Sequence, residues 1–363
     1  MTTLEDTAPR VAGPWLDADL DAWTRRVLRR HFDPVSGSPY WLRWRPHLGF
    51  DPLDITEYRQ LERFGRYPLE ALRGLDPAEL VPLSVPRPLA GRVWESSGTT
   101  GKPYRVFYTE AIAEHHTAWR GFGLDLAGFA PGRTWLYACP SGPHVVGRGA
   151  DQIAELHDAT VYTLDFDPRW ITGLIRRSRL AAMNRYVDHL VEQIADVLDT
   201  GRVSYLETTP ALLQVLLRLR PELVAGLDGV SLGGTRLTRA MYREIREVLP
   251  NALIGATYGN TFGCAIGLPA VEQDGLDGVV LPYLPCYPQV TMAVVDKRDP
   301  RRVVEYGQTG RVRLTVLHDD LFLPNVLERD QAVRHHPGPG WPCDAVADVT
   351  PLEEAPGGTE QLF

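Results

Sequence analysis

Residues 96–103 read Ser-Ser-Gly-Thr-Thr-Gly-Lys-Pro, a composition suited to holding phosphate. Two glycines let a backbone approach a ligand closely. Hydroxyls and free backbone N–H groups can surround phosphate oxygens, and a lysine adds a compact charge. Lys102 and Lys297 are the only lysines in the chain; every other basic residue is arginine. The spacing is not that of the G-x-x-x-x-G-K-[ST] loop, because Pro103 follows the lysine. An ordinary polar surface turn uses similar residues, but this one lies between two predicted strands. His115 and His116 invite a general-base role, yet neighbours on a helix diverge, so at most one is expected to face a site. Cys139, Cys264, Cys286 and Cys343 are far apart, with no C-x-x-C pair, and read as idle thiols in a reducing cytosol. Cys264 and Cys286 could meet near residues 256–261. No third or fourth ligand is evident, so no metal site is expected.

The surrounding elements must position these groups. Residues 1–13 have no period and read as disordered. Residues 14–80 read as mostly helical, with Leu16, Leu20, Trp23, Val27 and Leu28 on one face of the first helix. Strands are predicted at 91–95 and 104–109, followed by a helix at 110–127. Further strands are predicted at 134–140, 160–166, 203–210, 229–235 and 251–259. Helices fall between them, among them one long amphipathic helix over 171–199. This alternation predicts βαβ units, parallel sheets and an α/β fold class. From 279 to 330 short alternating strands predict a small antiparallel, β-rich subdomain. The expected division is a helical lead-in (14–85), an α/β core (86–278), the β-rich subdomain (279–330) and a short tail (331–363).

Composition excludes several functions. The 363 residues are 44% hydrophobic and 23% charged, with net charge −8, ordinary values for a globular protein. No basic block offers a footprint for nucleic acid. Apolar runs such as 211–217 are far shorter than the roughly 20 residues a bilayer requires. The first ten residues lack a secretion signal pattern. A cytoplasmic protein without nucleic-acid or membrane partners is expected.

The phosphate-type loop resembles that of the adenylate-forming (ANL) superfamily, and other segments agree in order. Ser231-Leu232-Gly233-Gly234-Thr235 resembles the segment that packs on adenine. Ala256-Thr257-Tyr258-Gly259-Asn260-Thr261 resembles the Y-G-x-[ST]-E motif that flanks AMP. Gln308-Thr309-Gly310-Arg311-Val312 is similar to the G-x-x-G-E-[LI] strand, and Leu323-Pro324 with Glu328-Arg329-Asp330 is similar to the ribose-binding segment. The PYW…GFDPLDI…L lead-in at 39–61, Thr209-Pro210 and EQDGL at 272–276 resemble the phenylacetate-CoA ligase branch. Phe262 stands where the family has a magnesium-placing glutamate. The family's C-terminal lid domain, with its lysine, has no counterpart in this resemblance. In this respect the chain resembles compact homologues of small-molecule biosynthesis.

The resemblance implies an ANL-type N-terminal domain using ATP and Mg²⁺ to activate a small carboxylic acid, suited to an aromatic one, as an acyl-adenylate. An amine or thiol acceptor, a carrier protein included, would then take the acyl group. Lys102, Thr99 and Thr100 are the expected catalytic groups. Ser96, Ser97, Gly98, Gly101, Gly233, Gly234, Thr235, Tyr258, Gly259, Asn260, Thr261 and Asp330 would hold the nucleotide. Trp119, Phe122, Tyr137, Gly142, Gly255 and Phe262 would line the acid site. The resemblance also suggests a homodimer. Two other readings remain open: an auxiliary homologue that binds nucleotide or needs a lysine-donating partner, and transfer to the chain's own Cys343, as in acyl-protein synthetases.

Overall fold

The computed structural model describes residues 13–96, 98, 102–272 and 278–352. Ser97, Thr99, Thr100 and Gly101 therefore lie outside the described residues, as do 273–277 and both termini. The first long helix, α1 (Leu20–Phe32), begins later than its periodicity predicts. Asp19 intercepts the chain as an N-cap, its carboxylate accepting the Ala22 N–H at 2.8 Å. Thr24, Val27, Leu28, His31 and Phe32 form its buried stripe. The rest of the lead-in is less helical than expected. Pro39, Pro52 and Pro77 each open a new short turn, so most of it is single-turn 3₁₀ structure.

Strands β1 (Gly91–Glu95) and β2 (Arg105–Thr109) pair antiparallel and close the phosphate-type loop with Glu95 opposite Arg105. Glu95 accepts from Arg105 at 2.8 Å and from Arg169 at 2.5 Å. These contacts, Arg105 first, hold its carboxyl below the usual range. Helix α2 (Glu110–Leu126) follows at once, capped by Thr109.

The chain then builds a mixed sheet. Strands β3 (Thr134–Ala138), β4 (Thr160–Thr163), β5 (Tyr205–Thr208), β6 (Gly229–Leu232) and β7 (Leu253–Gly259) are parallel, in the order β4-β3-β5-β6-β7. The inner strands β3, β5 and β6 are almost continuously buried, as suits strands covered on both faces. Helices intervene at Gly149–Leu156 (α3), Pro168–Arg176 (α4), Leu180–Leu198 (α5), Pro210–Leu219 (α6) and Arg239–Val248 (α7). The helix expected over 171–199 is thus two, broken where Ser178 takes a positive φ of 54°. At β8 (Cys264–Gly267) the sheet reverses direction. After two short strands, β9 (Val271–Glu272) and β10 (Val279–Val280), it continues antiparallel through β11 (Pro282–Pro285), β12 (Val290–Val295), β13 (Thr309–His318), β14 (Leu321–His335) and β15 (Ala345–Pro351). The β-rich stretch is hydrogen-bonded onto the parallel half in one eleven-stranded sheet, and β14 and β15 extend it beyond residue 330. No described helix is long and apolar enough to cross a membrane.

One ion pair is sunk in the parallel half. Arg120 on α2 reaches Glu207 on β5, and the same guanidinium approaches Ser231 Oγ on β6 at 3.3 Å. Both side chains are about nine-tenths buried, with 10% and 7% exposure. A lone charge there would lose its hydration without a partner. Replacing only Glu207 by leucine is expected to destabilise the fold by about 3–5 kcal/mol. The Arg120→Leu/Glu207→Leu double variant should recover most of that loss. Urea unfolding of the three proteins measures it; a double variant as unstable as the single would refute the pairing.

Candidate functional site

The site forms where the sheet changes direction. The chain leaves β7 at Gly259 (φ 154°) and passes so close to itself that a β-carbon there would lie 2.4 Å from the Gly263 carbonyl oxygen. This reversal brings Tyr258 and Asn260 against β14. The Tyr258 hydroxyl donates to Asp330 Oδ2 at 3.0 Å. Asn260 Oδ1 accepts the Phe262 and Gly263 N–H groups at 2.7 and 3.2 Å, while its Nδ2 donates to Glu328 Oε1 at 2.7 Å. Thr261 is buried, its carbonyl accepting from the Tyr108 hydroxyl at 3.0 Å. Four residues assigned to nucleotide binding on sequence grounds, Tyr258, Gly259, Asn260 and Asp330, therefore converge.

Sequence reading places Glu328 only within the Glu328-Arg329-Asp330 segment and assigns it no role of its own, because its partner Asn260 lies 68 residues away. Burial, then the neighbouring Asp330 charge, pushes its carboxyl up to about 8. Burial also raises Asp330, against the Tyr258 hydrogen bond and the Arg236 charge.

The phosphate-type loop approaches from the other side. Ser96 and Tyr104 exchange hydrogen bonds across its neck: Ser96 N–H to the Tyr104 carbonyl at 3.0 Å, and Tyr104 N–H to Ser96 Oγ at 2.9 Å. Gly98 has φ 67°, and its carbonyl accepts from Arg176 at 3.1 Å. The Lys102 carbonyl accepts from Arg73, which also donates to the Tyr104 hydroxyl at 3.0 Å. The Lys102 side chain is left exposed. Glu70 is held below the usual carboxylate range by Arg73 and Tyr104, with a smaller contribution from Arg329. Arg73 and Arg176 thus join Lys102 in a cationic rim around the loop. Arg73 and Arg176 fall in two different predicted regions, so spacing could not reveal them.

Gly233 and Gly234 follow β6, where a β-carbon on Gly233 would lie 2.6 Å from Thr257 Oγ1. This segment packs directly on the strand leading to Tyr258. Thr235 Oγ1 is buried without a partner.

The six residues expected to line an acid site are not brought together. Trp119 and Phe122 are sealed in the main core, their rings 5.3 Å apart. Tyr137 belongs to a separate cluster with Phe129, Trp135 and Tyr205. A β-carbon on Gly255 would point at Phe129, and Gly142 faces open space. Only Phe262 borders a cavity near the Tyr258–Thr261 loop. These helix and strand residues turn inward because their faces carry the core; sequence position alone could not separate the two faces.

The histidines depart from expectation, whereas Cys264 and Cys286 meet as their positions allowed. His115 and His116 both border that cavity, which spans enough of the α2 surface for two successive positions to reach it. Cys264 and Cys286 meet because β8 and β11 pair antiparallel with Ala265 opposite Pro285, making them the next partners. Their sulfurs lie 3.3 Å apart, and His116 Nε2 lies 3.3 Å from Cys264 Sγ. The Cys286 thiol and the His116 ring hold Cys264 well below the usual thiol range. Burial alone would lower His116, but the Cys264 charge outweighs it. Among the described residues no group of three or more His, Cys, Asp or Glu is arranged to hold a metal ion. Cys343 is pushed up to about 12 by burial, an unfavourable setting for a nucleophilic thiol.

The raised Glu328 gives a pH prediction. An acid with its folded pKa above its unfolded value keeps extra protons in the native state, so native stability falls as pH rises from about 4.5 to about 8. Glu328→Gln should flatten that slope and be the more stable protein at pH 8.5. Unfolding at pH 5.5 and 8.5 tests this; parallel profiles for the two proteins would contradict it.

No protein-family model and no curated protein sequence matches the chain. Solved structures match in fold. An open conformation of 2-hydroxyisobutyryl-CoA ligase in complex with 2-HIB-AMP and CoA superposes with TM-score 0.67 at 16% identity, covering 92% of this chain and 68% of that one. The same ligase in its thioesterification state gives TM-score 0.65 at 16% identity, with the same coverages. In the postadenylation state with 2-HIB-AMP it gives 0.63 at 16% identity, covering 91% of this chain and 65% of that one. The chain thus shares the fold of these structures over roughly two thirds of their length.

Proposed function

We propose that this chain uses ATP to activate a small carboxylic acid, suited to an aromatic one, as an acyl-adenylate. The acyl group then passes to an amine or thiol acceptor, a carrier protein included. The observation that carries this reading is the convergence of Tyr258, Asn260 and Asp330 at the sheet reversal, across from a cation-rimmed Ser/Thr/Gly loop. The ligase of the same fold was captured with an acyl-AMP and CoA, the chemistry carried over here.

In this reading Asp330, steadied by the Tyr258 hydroxyl, accepts from the ribose hydroxyls, and Gly233–Thr235 lies against adenine. Thr99, Thr100 and Lys102 face the phosphates. A carboxylate oxygen attacks the α-phosphorus, and the bond to pyrophosphate breaks. The negative charge that grows on the phosphate oxygens needs fixed positive partners. Lys102 and the arginine rim supply them. Phe262 is a buried ring and offers magnesium no oxygen ligand, so at this position the chain's own cations would carry the charge.

That same Phe262 favours a second reading, in which the chain binds nucleotide or acyl-AMP as an auxiliary protein without forming the adenylate. Two measurements decide between them. Pyrophosphate release with ATP, magnesium and a panel of aryl and alkyl carboxylates should be acid-dependent, and Lys102→Ala should lower it by about 100-fold. Acid-independent release, or full activity in the variant, would sink the first reading. Asp330→Asn should weaken ATP and AMP binding by about tenfold or more, as loss of a hydrogen bond to a charged group predicts. Unchanged affinity by calorimetry would remove Asp330 from the site in both readings.

A further inference from the structure

Beneath the Tyr258–Thr261 loop lies a small cavity of about 20 Å³. It is bounded by α2, by Phe262 and Gly263 of the loop, and by the antiparallel half of the sheet. Its polar wall comprises His115, His116, Cys264, Cys286, Gln289 and His318. Four of these six are already engaged. His116, Cys264 and Cys286 contact one another, and His318 Nδ1 accepts the Asp320 N–H at 3.0 Å. The other two form no hydrogen bond of standard geometry: His115 Nε2 and Gln289 Oε1 are buried without such a partner, and only a loose contact between these two side chains acts on His115. The two residues are 7% and 4% exposed, so bulk water does not satisfy them. Leaving two such atoms unpaired is costly in a site that excludes solvent.

One small group satisfies both. A hydroxyl can donate to Gln289 Oε1 and accept from His115 Nε2–H, and an amino group can donate to both when that nitrogen carries the lone pair. Burial keeps the His115 ring neutral, so both tautomers are available. The volume admits about one water-sized group and no more. The remaining wall, with Tyr108, Ile112, Phe262 and Val290, is apolar or aromatic. Phe262 also links the cavity to the phosphate-type loop, its ring centre 5.9 Å from that of Tyr104.

We propose that this cavity is the far end of the acid site, and that His115 and Gln289 select an acid bearing a hydroxyl or amino substituent remote from its carboxylate. The inference rests on the acid-activating reading and narrows its substrate class. Apolar acids of the same shape fill the space but leave both polar atoms unpaired, the situation in which binding sites discriminate most strongly.

The test uses matched acids: 3- and 4-hydroxybenzoate, 3- and 4-aminobenzoate, and the corresponding methylbenzoates. Each is measured for pyrophosphate release and, independently of turnover, for binding by calorimetry. The wild-type protein should favour at least one hydroxyl or amino acid over its methyl partner by about tenfold or more. Gln289→Leu and Gln289→Met should bring that ratio close to one by weakening only the polar member, with thermal unfolding confirming that each variant folds. Parity in the wild type, or a preference that survives both variants, overturns the proposal. Pyrophosphate release without any preference would leave acid activation standing and this inference refuted. Polar-selective binding without pyrophosphate release would support the inference and refute adenylation. No binding of any acid would refute it as well.

Discussion

The reversal of the sheet at Gly259 is the constraint on which the site depends. Up to β7 every neighbour in the sheet is parallel, and each connection returns through a helix. At Gly259 the chain turns back on itself within five residues, so closely that no side chain fits. That turn sets Tyr258 against Asp330 and Asn260 against Glu328. Strand β8, which follows the turn, pairs with β11 in the register that brings Cys264 and Cys286 together. Ligand sites in α/β proteins commonly gather at the carboxyl ends of strands where strand order changes. Here the order changes in direction as well as in sequence.

Charge is distributed unequally around this turn. Glu328 and Asp330 lie on the β14 side, and burial raises both carboxyl pKa values. Across from them the phosphate-type loop is ringed by Lys102, Arg73 and Arg176. An anion placed between the two would meet cations from the loop side and hydrogen-bonding groups from β14. The buried Arg120–Glu207 pair lies deeper, where it joins α2 to the parallel strands. Helix α2 thus serves two ends: it anchors the parallel half through Arg120 and walls the polar cavity through His115 and His116.

Much of the fold was legible because its signals are local. Alternating strands and helices, the hairpin around the Ser/Thr/Gly loop and the change of pattern after 279 all depend on neighbours a few residues apart. The errors were local too. Asp19 and Ser178 interrupted helices that hydrophobic periodicity ran straight through, because capping and a positive φ act at single positions that an averaged pattern does not resolve. In the candidate site, Tyr258, Gly259, Asn260 and Asp330 could be named in advance from ordered motifs. Trp119, Phe122, Tyr137 and Gly255 could not be assigned correctly, since an apolar residue reads the same whether it faces a ligand or the core.

By itself, then, the sequence determined the α/β class, the loop chemistry at 96–103 and the order of the segments that meet at the site. It could do so because propensity, turn chemistry and residue type are properties of short stretches. Tertiary structure alone decided which groups meet: Glu328 with Asn260, Arg73 with Lys102, His116 with Cys264, and the unpaired His115 and Gln289 across one cavity. These contacts join residues that are tens to hundreds of positions apart. Their distances follow from strand register and sheet order, and those are set by the packing of the whole chain.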